Sequence, residues 1–304
     1  MASGKLRSVK RVLPAPSPHW VGNGFHVYPV FADLAFTKEL SPLLMFDYAS
    51  PKEFPPNKGA PLGVGQHPHR GFETVTIAFQ GEVEHKDSTG KSGVIYPGDV
   101  QWMTAGRGII HQEFHSTEFS NKGGTFEMAQ LWVNLPKKDK MTKPRYQPID
   151  GKKIPVVALP LNNADGEESV GSARIIAGEI DDTKGAAMTF SPVQLWDIDL
   201  PHADAEIELP FPADYNCIVF VRRGAVEVLT DEKSSKLGPQ DVAVMNKDGA
   251  GTLKLRVVNP DSSVLVMGGE PINEPIAAQG PFVMNTNAEI SQAIQDYRSG
   301  KMGR

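Results

Sequence analysis

Gln66-His67-Pro68-His69-Arg70-Gly71-Phe72-Glu73 and Gly108-Ile109-Ile110-His111-Gln112-Glu113 are the two runs that decide how this chain is read. Each carries two metal-competent side chains at i and i+2. On an extended strand those positions share a face, so each run offers two ligands in one direction. Apolar-rich segments separate the runs, broken by the turn signals Ser88-Thr89-Gly90 and Tyr96-Pro97-Gly98-Asp99. That length suits a few antiparallel strands that return the second pair beside the first. His67, His69, His111 and Glu113 then converge inside a barrel. Three imidazoles and a carboxylate suit iron, manganese, nickel, copper or zinc, and on an octahedral ion leave two positions open for dioxygen and a substrate.

Outward from these runs, the chain reads as a succession of short strands. Among its 304 residues are 29 glycines and 25 prolines, which favour tight turns over long helices. The length predicts about two domains. Segments such as 26–31, 43–48, 74–79, 100–104 and 126–133 supply the first set of strands. The pattern restarts after a proline-rich connector, with strand candidates from Ile154 to Gly268. Phe220-Val221-Arg222-Arg223-Gly224 echoes Ala78-Phe79-Gln80-Gly81, and Leu237-Gly238-Pro239-Gln240-Asp241 echoes Ile95-Tyr96-Pro97-Gly98-Asp99. The expected fold is all-β, two tandem copies of one barrel (residues 1–145 and 146–304), followed by a short C-terminal helix. Thr286 and Glu289 fit a capping box for that helix, Ile290, Ala293, Ile294 and Tyr297 its apolar face, and Gly300 its stop. Only His202 lies beyond His115, so a three-histidine site belongs to the first copy. Residues 1–20 read as a basic, then proline-rich arm over the surface ahead of the first barrel.

Composition narrows the function classes. A formal charge of −5 gives no general reason to bind nucleic acid or an anionic membrane, and Lys137, Lys138 and Lys140 are too few for a nucleic-acid patch. Cys217 is the single cysteine, which rules out an intrachain disulfide and a thiolate metal site; its apolar run makes it a buried small hydrophobe. The start of the chain lacks the apolar core of a secretory signal, and no stretch approaches the roughly 18 apolar residues of a membrane span. The expectation is a soluble, intracellular monomer.

The β-barrel unit with His-x-His and a downstream His resembles the cupin superfamily, and the tandem pair resembles a bicupin. The resemblance sharpens at residues 67–75, at Gln101-Trp102-Met103-Thr104-Ala105-Gly106-Arg107-Gly108-Ile109, at Leu131-Trp132-Val133-Asn134-Leu135 and at Gly280-Pro281-Phe282-Val283-Met284-Asn285-Thr286. These runs resemble the pirin family over nearly the whole chain. The resemblance implies one Fe(II) in the N-terminal barrel, held by His67, His69, His111 and Glu113. It also implies one of two activities. The first is quercetin 2,3-dioxygenase, which opens the central ring of a flavonol with dioxygen and releases carbon monoxide. The second is that of an iron-dependent, redox-sensing nuclear cofactor of the nuclear factor κB transcription factors, which places the protein in the nucleus as well as the cytoplasm.

By parity alone Glu73 competes with Glu113 for the metal, because an unbroken strand would turn it inward with His67 and His69. The resemblance assigns Glu113 to the metal and leaves Glu73 to hydrogen-bond behind the ligands. In the dioxygenase reading Glu113, or alternatively Glu73, is the base that accepts the substrate's hydroxyl proton. His115 keeps the inward parity but falls at a strand end, which favours a solvent-facing or hydrogen-bonding role. Arg70 and Arg107 either guide an anionic substrate or brace a loop. Trp102, Met103, Phe126, Met128 and Trp132 divide between pocket lining and barrel core, mostly core. In the cofactor reading the Lys137–Lys140 segment and the connector offer the partner-binding patch.

Overall fold

The computed structural model describes residues 5–33, 36–159 and 169–303; residues 1–4 of the basic arm lie outside them. The chain forms two compact units. One comprises residues 17–38, 43–152 and 272–304, and the other residues 1–16, 39–42 and 153–271.

In the first of these units seven antiparallel strands form one sheet, in the spatial order Arg145–Ile149, Val100–Thr104, Phe72–Gln80, Gly124–Asn134, Leu43–Phe54, Phe25–Phe31 and His19–Val21. A four-stranded sheet follows the order Gly63–His69, Ile109–His115, Val83–Asp87 and Ser92–Ile95. The second unit repeats the plan: Val9–Leu13, Val242–Met245, Asn216–Arg223, Ser262–Gly269, Val193–Leu200, Gly171–Ala177 and Val156–Leu159 in one sheet, and Glu206–Pro210, Thr252–Val257, Val226–Leu229 and Ser235–Leu237 in the other. Two copies of one barrel are thus confirmed, and the echoed motifs do the same job in each. Gly81 and Gly224 both turn the chain at positive φ (75° and 74°), a conformation that favours glycine. The next turn is then held by matching backbone bonds. Gly98 N–H donates to Ala78 and Ala78 N–H to Asp99, while Gln240 N–H donates to Val221 and Val221 N–H to Asp241.

The first unit runs on to residue 152, because the strand Arg145–Ile149 pairs with Val100–Thr104. A cut at residue 145 would split that strand from its sheet, and the chain ends also cross between the units. Val9–Leu13 is not a surface arm of the first barrel; it is the edge strand of the second, paired with Val242–Met245. Arg7, which composition suggests is solvated, is buried there because its guanidinium donates to the carbonyls of Asn246, Pro212 and Tyr215. The C-terminal helix, Asn287–Arg298, belongs to the first unit. Its capping box is formed: Glu289 N–H donates to Thr286 Oγ1 at 3.2 Å, and Thr286 N–H to Glu289 Oε2 at 2.9 Å. Ile290 and Ala293 are buried, whereas Tyr297 is 38% exposed and lies at the margin of the apolar face.

Registers counted from the shared turn align the two barrels residue by residue. Leu209, Phe211, Leu253 and Leu255 occupy the places of His67, His69, His111 and Glu113, and Val219 and Val266 those of Thr76 and Gln130. All six pack in one buried hydrocarbon core. The second barrel is therefore held by apolar burial where the first assembles polar side chains. Leu255→Ala is expected to cost about 2–5 kcal/mol through the cavity it leaves, measured as a lower urea midpoint for unfolding.

Candidate metal centre

Strands Gly63–His69 and Ile109–His115 pair antiparallel with His67 directly opposite His111. Directly paired residues share a face, and His69 shares the face of His67 by its i+2 spacing. The three imidazoles consequently converge, with ligand nitrogens all within 4.8 Å of one another. A bulge follows at once, and Glu113 pairs with Val64.

Burial holds the His69 and His111 rings well below the ordinary histidine pKa, and the neighbouring imidazoles reinforce this. Both rings are neutral at physiological pH, the state in which imidazole nitrogen binds a metal. His67 Nδ1 lies 2.8 Å from the Gly65 carbonyl. As the N–H donor of that bond it leaves Nε2 with a free lone pair. The His69 ring is hydrogen-bonded to the Pro281 carbonyl, while its Nδ1 has no partner. Both ring nitrogens of His111 are buried and unpartnered. Neutral nitrogens that point together without hydrogen bonds are costly in a metal-free core, and a bound cation would satisfy them. The residues present fit a metal.

Glu113 stands outside the cluster of nitrogens but lines the same cavity as His67 and His69. Its carboxyl is held up by burial and accepts a hydrogen bond from the Gln130 amide. Thr76 Oγ1 donates to Gln130 Oε1 at 2.6 Å and lies 3.5 Å from Glu113 Oε1. Gln130 and Thr76 escaped the sequence reading, although a glutamine and a threonine within otherwise apolar strands were a usable signal.

Glu73 does not turn inward. At Arg70-Gly71 the chain leaves the four-stranded sheet for the seven-stranded one, and this step breaks the parity on which the expectation rested. Gly71 makes the turn at φ 88°, where a Cβ would lie 1.9 Å from the Val283 carbonyl oxygen. In the new strand Thr74 and Thr76 pair with Trp132 and Gln130 on the interior face, and Glu73 pairs with Val133 and Thr104 on the other. There Thr104 Oγ1 donates to Glu73 Oε1 at 2.6 Å, and burial raises the Glu73 carboxyl to about 7.

The remaining singled-out residues are structural. Arg70 braces a loop: its guanidinium meets Asp296 at 2.8 Å and donates to the Arg107 carbonyl at 2.6 Å. Lys140 is not part of an exposed patch. It is buried, with Nζ donating to the carbonyls of Gly71 and Val283 and to Asn134 Oδ1, and burial lowers its pKa to about 7. His115 is not solvent-facing. It packs among Phe25, Phe54 and Phe126, with Nε2 2.9 Å from the Gly24 carbonyl. His85, which had no role by spacing, sits directly across from Glu113 and stacks on Tyr146.

A cavity of about 240 Å³ reaches the ligand residues. Its apolar walls are Val21, Phe25, Val27, Met45, Met128 and Trp132, and its polar groups are Asp47, Gln130, Glu113, His67 and His69. Of the five large residues flagged in the sequence, Met128 and Trp132 line it, while Phe126 and Met103 pack in buried clusters. A larger cavity of about 750 Å³ opens beside His85 and Tyr146, but none of the triad lines it, so size alone does not locate the site.

Fold and site together define a two-barrel cupin whose first barrel carries a three-histidine cluster that could hold a metal, the one such cluster among the described residues. Family models described as pirin and pirin C-terminal cupin domain match residues 24–133 and 195–303. A Pseudomonas aeruginosa protein provisionally named quercetin 2,3-dioxygenase is 48% identical, over 98% of this chain and 99% of its own. Human pirin is 37% identical, over 88% of this chain and 84% of its own. The chain belongs to the pirin family. The crystal structure of a quercetin 2,3-dioxygenase from Acinetobacter baumannii superposes with a TM-score of 0.91 at 47% identity, covering 98% of this chain and 99% of that one. A bacterial pirin from Escherichia coli, solved in complex with nickel(II), shares the fold at 19% identity and a TM-score of 0.61, over 86% of this chain and 100% of that one.

Burial lowers the His115 pKa from 6.5 to about 4. Above pH 6.5 its ring is neutral in both folded and unfolded chains. Between that pH and about 4 only the unfolded chain gains the proton, so acidification destabilises the fold, by about 3 kcal/mol in full. His115→Phe is expected to flatten this part of the stability–pH curve, measured by urea titration from pH 7 to pH 4.5.

Proposed function

We propose that the protein is a metal-dependent dioxygenase of the quercetin 2,3-dioxygenase type, with Fe(II) held by His67, His69, His111 and Glu113. The reading is carried by the apolar cavity that ends on His67, His69 and Glu113, which offers a flat aromatic substrate direct access to the ligand residues. When bound, the metal supplies Lewis acidity toward the flavonol's ionised hydroxyl and a one-electron couple for reaction with dioxygen. Trp132, Met128 and Phe25 flank the planar rings and keep water away. Glu113 accepts the hydroxyl proton on a carboxylate oxygen, a role suited to a carboxyl whose pKa burial raises, and the Gln130 amide holds it in place. Glu73, on the far face of the sheet, takes no part.

An intracellular setting accompanies this reading. The nuclear cofactor alternative gains no support from the Lys137–Lys140 segment, whose last lysine is buried. Among the described residues no helix is long and apolar enough to cross a membrane.

Two measurements test the reading. Anaerobic reconstitution with Fe(II), then quercetin and air, is expected to deplete the flavonol absorbance and release carbon monoxide, both abolished by His67→Ala. Stoichiometric iron that changes redox state without consuming flavonol would overturn the assignment. For the carboxylate, Glu113→Gln is expected to lower metal affinity about tenfold or more by competitive chelation, while Glu73→Gln retains stoichiometric metal.

A further inference from the structure

A row of polar residues crosses the interior face of the seven-stranded sheet. Gln101 pairs with Thr76, Thr76 with Gln130, and Gln130 with Asp47, one residue from each of four neighbouring strands. Directly paired residues share a face, so all four side chains point into the barrel. Thr76 and Gln130 are hydrogen-bonded to each other, and Gln130 holds Glu113. Asp47 ends the row differently. It lines the cavity with Gln130, yet its carboxylate has no hydrogen bond or ion pair among the described residues. Burial pushes its pKa up to about 6, opposed only by the charge of His19. A half-buried, unpaired carboxylate facing apolar walls costs the fold and returns nothing to it.

We propose that Asp47 is the specificity-determining residue of the cavity, accepting hydrogen bonds from phenolic hydroxyl groups of a polyhydroxylated aromatic substrate on a ring distant from the reacting hydroxyl. A carboxylate is acceptor-only and needs a donor. Among its neighbours in the cavity, Met45, Met128, Val27 and Phe25 have no side-chain donor, and the Gln130 amide across the strand pair is hydrogen-bonded to Glu113. Asp47 also stands one strand spacing, about 4.8 Å, beyond Gln130, on the side away from the Thr76 strand. A multi-ring phenol whose reacting hydroxyl lies at Glu113 would carry another ring toward that position. An analogue without those hydroxyls would leave the carboxylate desolvated and unpaired, and so be disfavoured.

The inference rests on the flavonol reading and is tested by comparing quercetin with 3-hydroxyflavone, which keeps only the reacting hydroxyl. In the Fe(II)-loaded protein, the ratio of kcat/KM for quercetin over 3-hydroxyflavone is expected to fall about tenfold in Asp47→Leu, chiefly through KM for quercetin. Asp47→Asn, which retains a carbonyl acceptor without the charge, should recover part of the ratio. Metal content should match wild type in both variants, and neither should unfold at a lower temperature. A ratio within twofold of wild type in Asp47→Leu would overturn the proposal. If the wild type consumes neither flavonol, the dioxygenase reading falls. The Asp47 proposal is then judged on anaerobic Kd values: tighter quercetin binding lost in Asp47→Leu supports it, and equal Kd values in wild type and variant overturn it.

Discussion

The direct opposition of His67 and His111 across one antiparallel strand pair is the constraint on which the site depends. Paired residues cannot face opposite ways, so this register turns both imidazoles into the barrel. The i+2 rule adds His69 from one strand and Glu113 from the other. A slip of one residue would carry the ligands of either strand to the outer face. The register is set in turn by what lies on the same face: Thr76, Gln130 and the apolar cavity walls on one side, and the stacked His85 and Tyr146 on the other.

That register is secured by the end of the chain. Arg70, immediately after His69, exchanges backbone hydrogen bonds with Pro281 and Val283, while its guanidinium pairs with Asp296 on the C-terminal helix. Pro281 also receives the His69 ring, and Lys140 ties the carbonyls of Gly71 and Val283 together from within. The helix is thus more than a cap on an apolar patch. It holds the segment that orients a ligand ring, so the geometry of the site depends on residues more than two hundred positions away in sequence.

The two barrels show what such a site costs. At matching positions one has His67, His69, His111 and Glu113, and the other Leu209, Phe211, Leu253 and Leu255. The leucines and phenylalanine gain from burial, whereas His69, His111 and Glu113 must be desolvated, with pKa values shifted toward their neutral forms. The apolar copy can stabilise itself without any ligand. The polar copy instead carries buried groups that a bound cation would satisfy.

Much of this was legible in the chain itself. Glycine-punctuated apolar runs specified strands, the echoed turn motifs specified a duplicated barrel, and His-x-His with the downstream His111 specified a cluster that could hold a metal. These features are local, and strand periodicity converts local spacing into a common face. What only the tertiary structure decided is what spacing cannot carry. Glu73 turned outward because the chain changes sheets at Gly71, so parity counted through that residue fails. Val9–Leu13 joined the second barrel, and the C-terminal helix the first, because an edge strand or a helix docks where a partner surface exists, whatever its place in the sequence. Arg7 and Lys140, read as solvated charges, found carbonyl oxygens that made their burial affordable. Asp47 drew no remark in the sequence, and only pairing across the sheet set it at the end of a polar row inside the cavity.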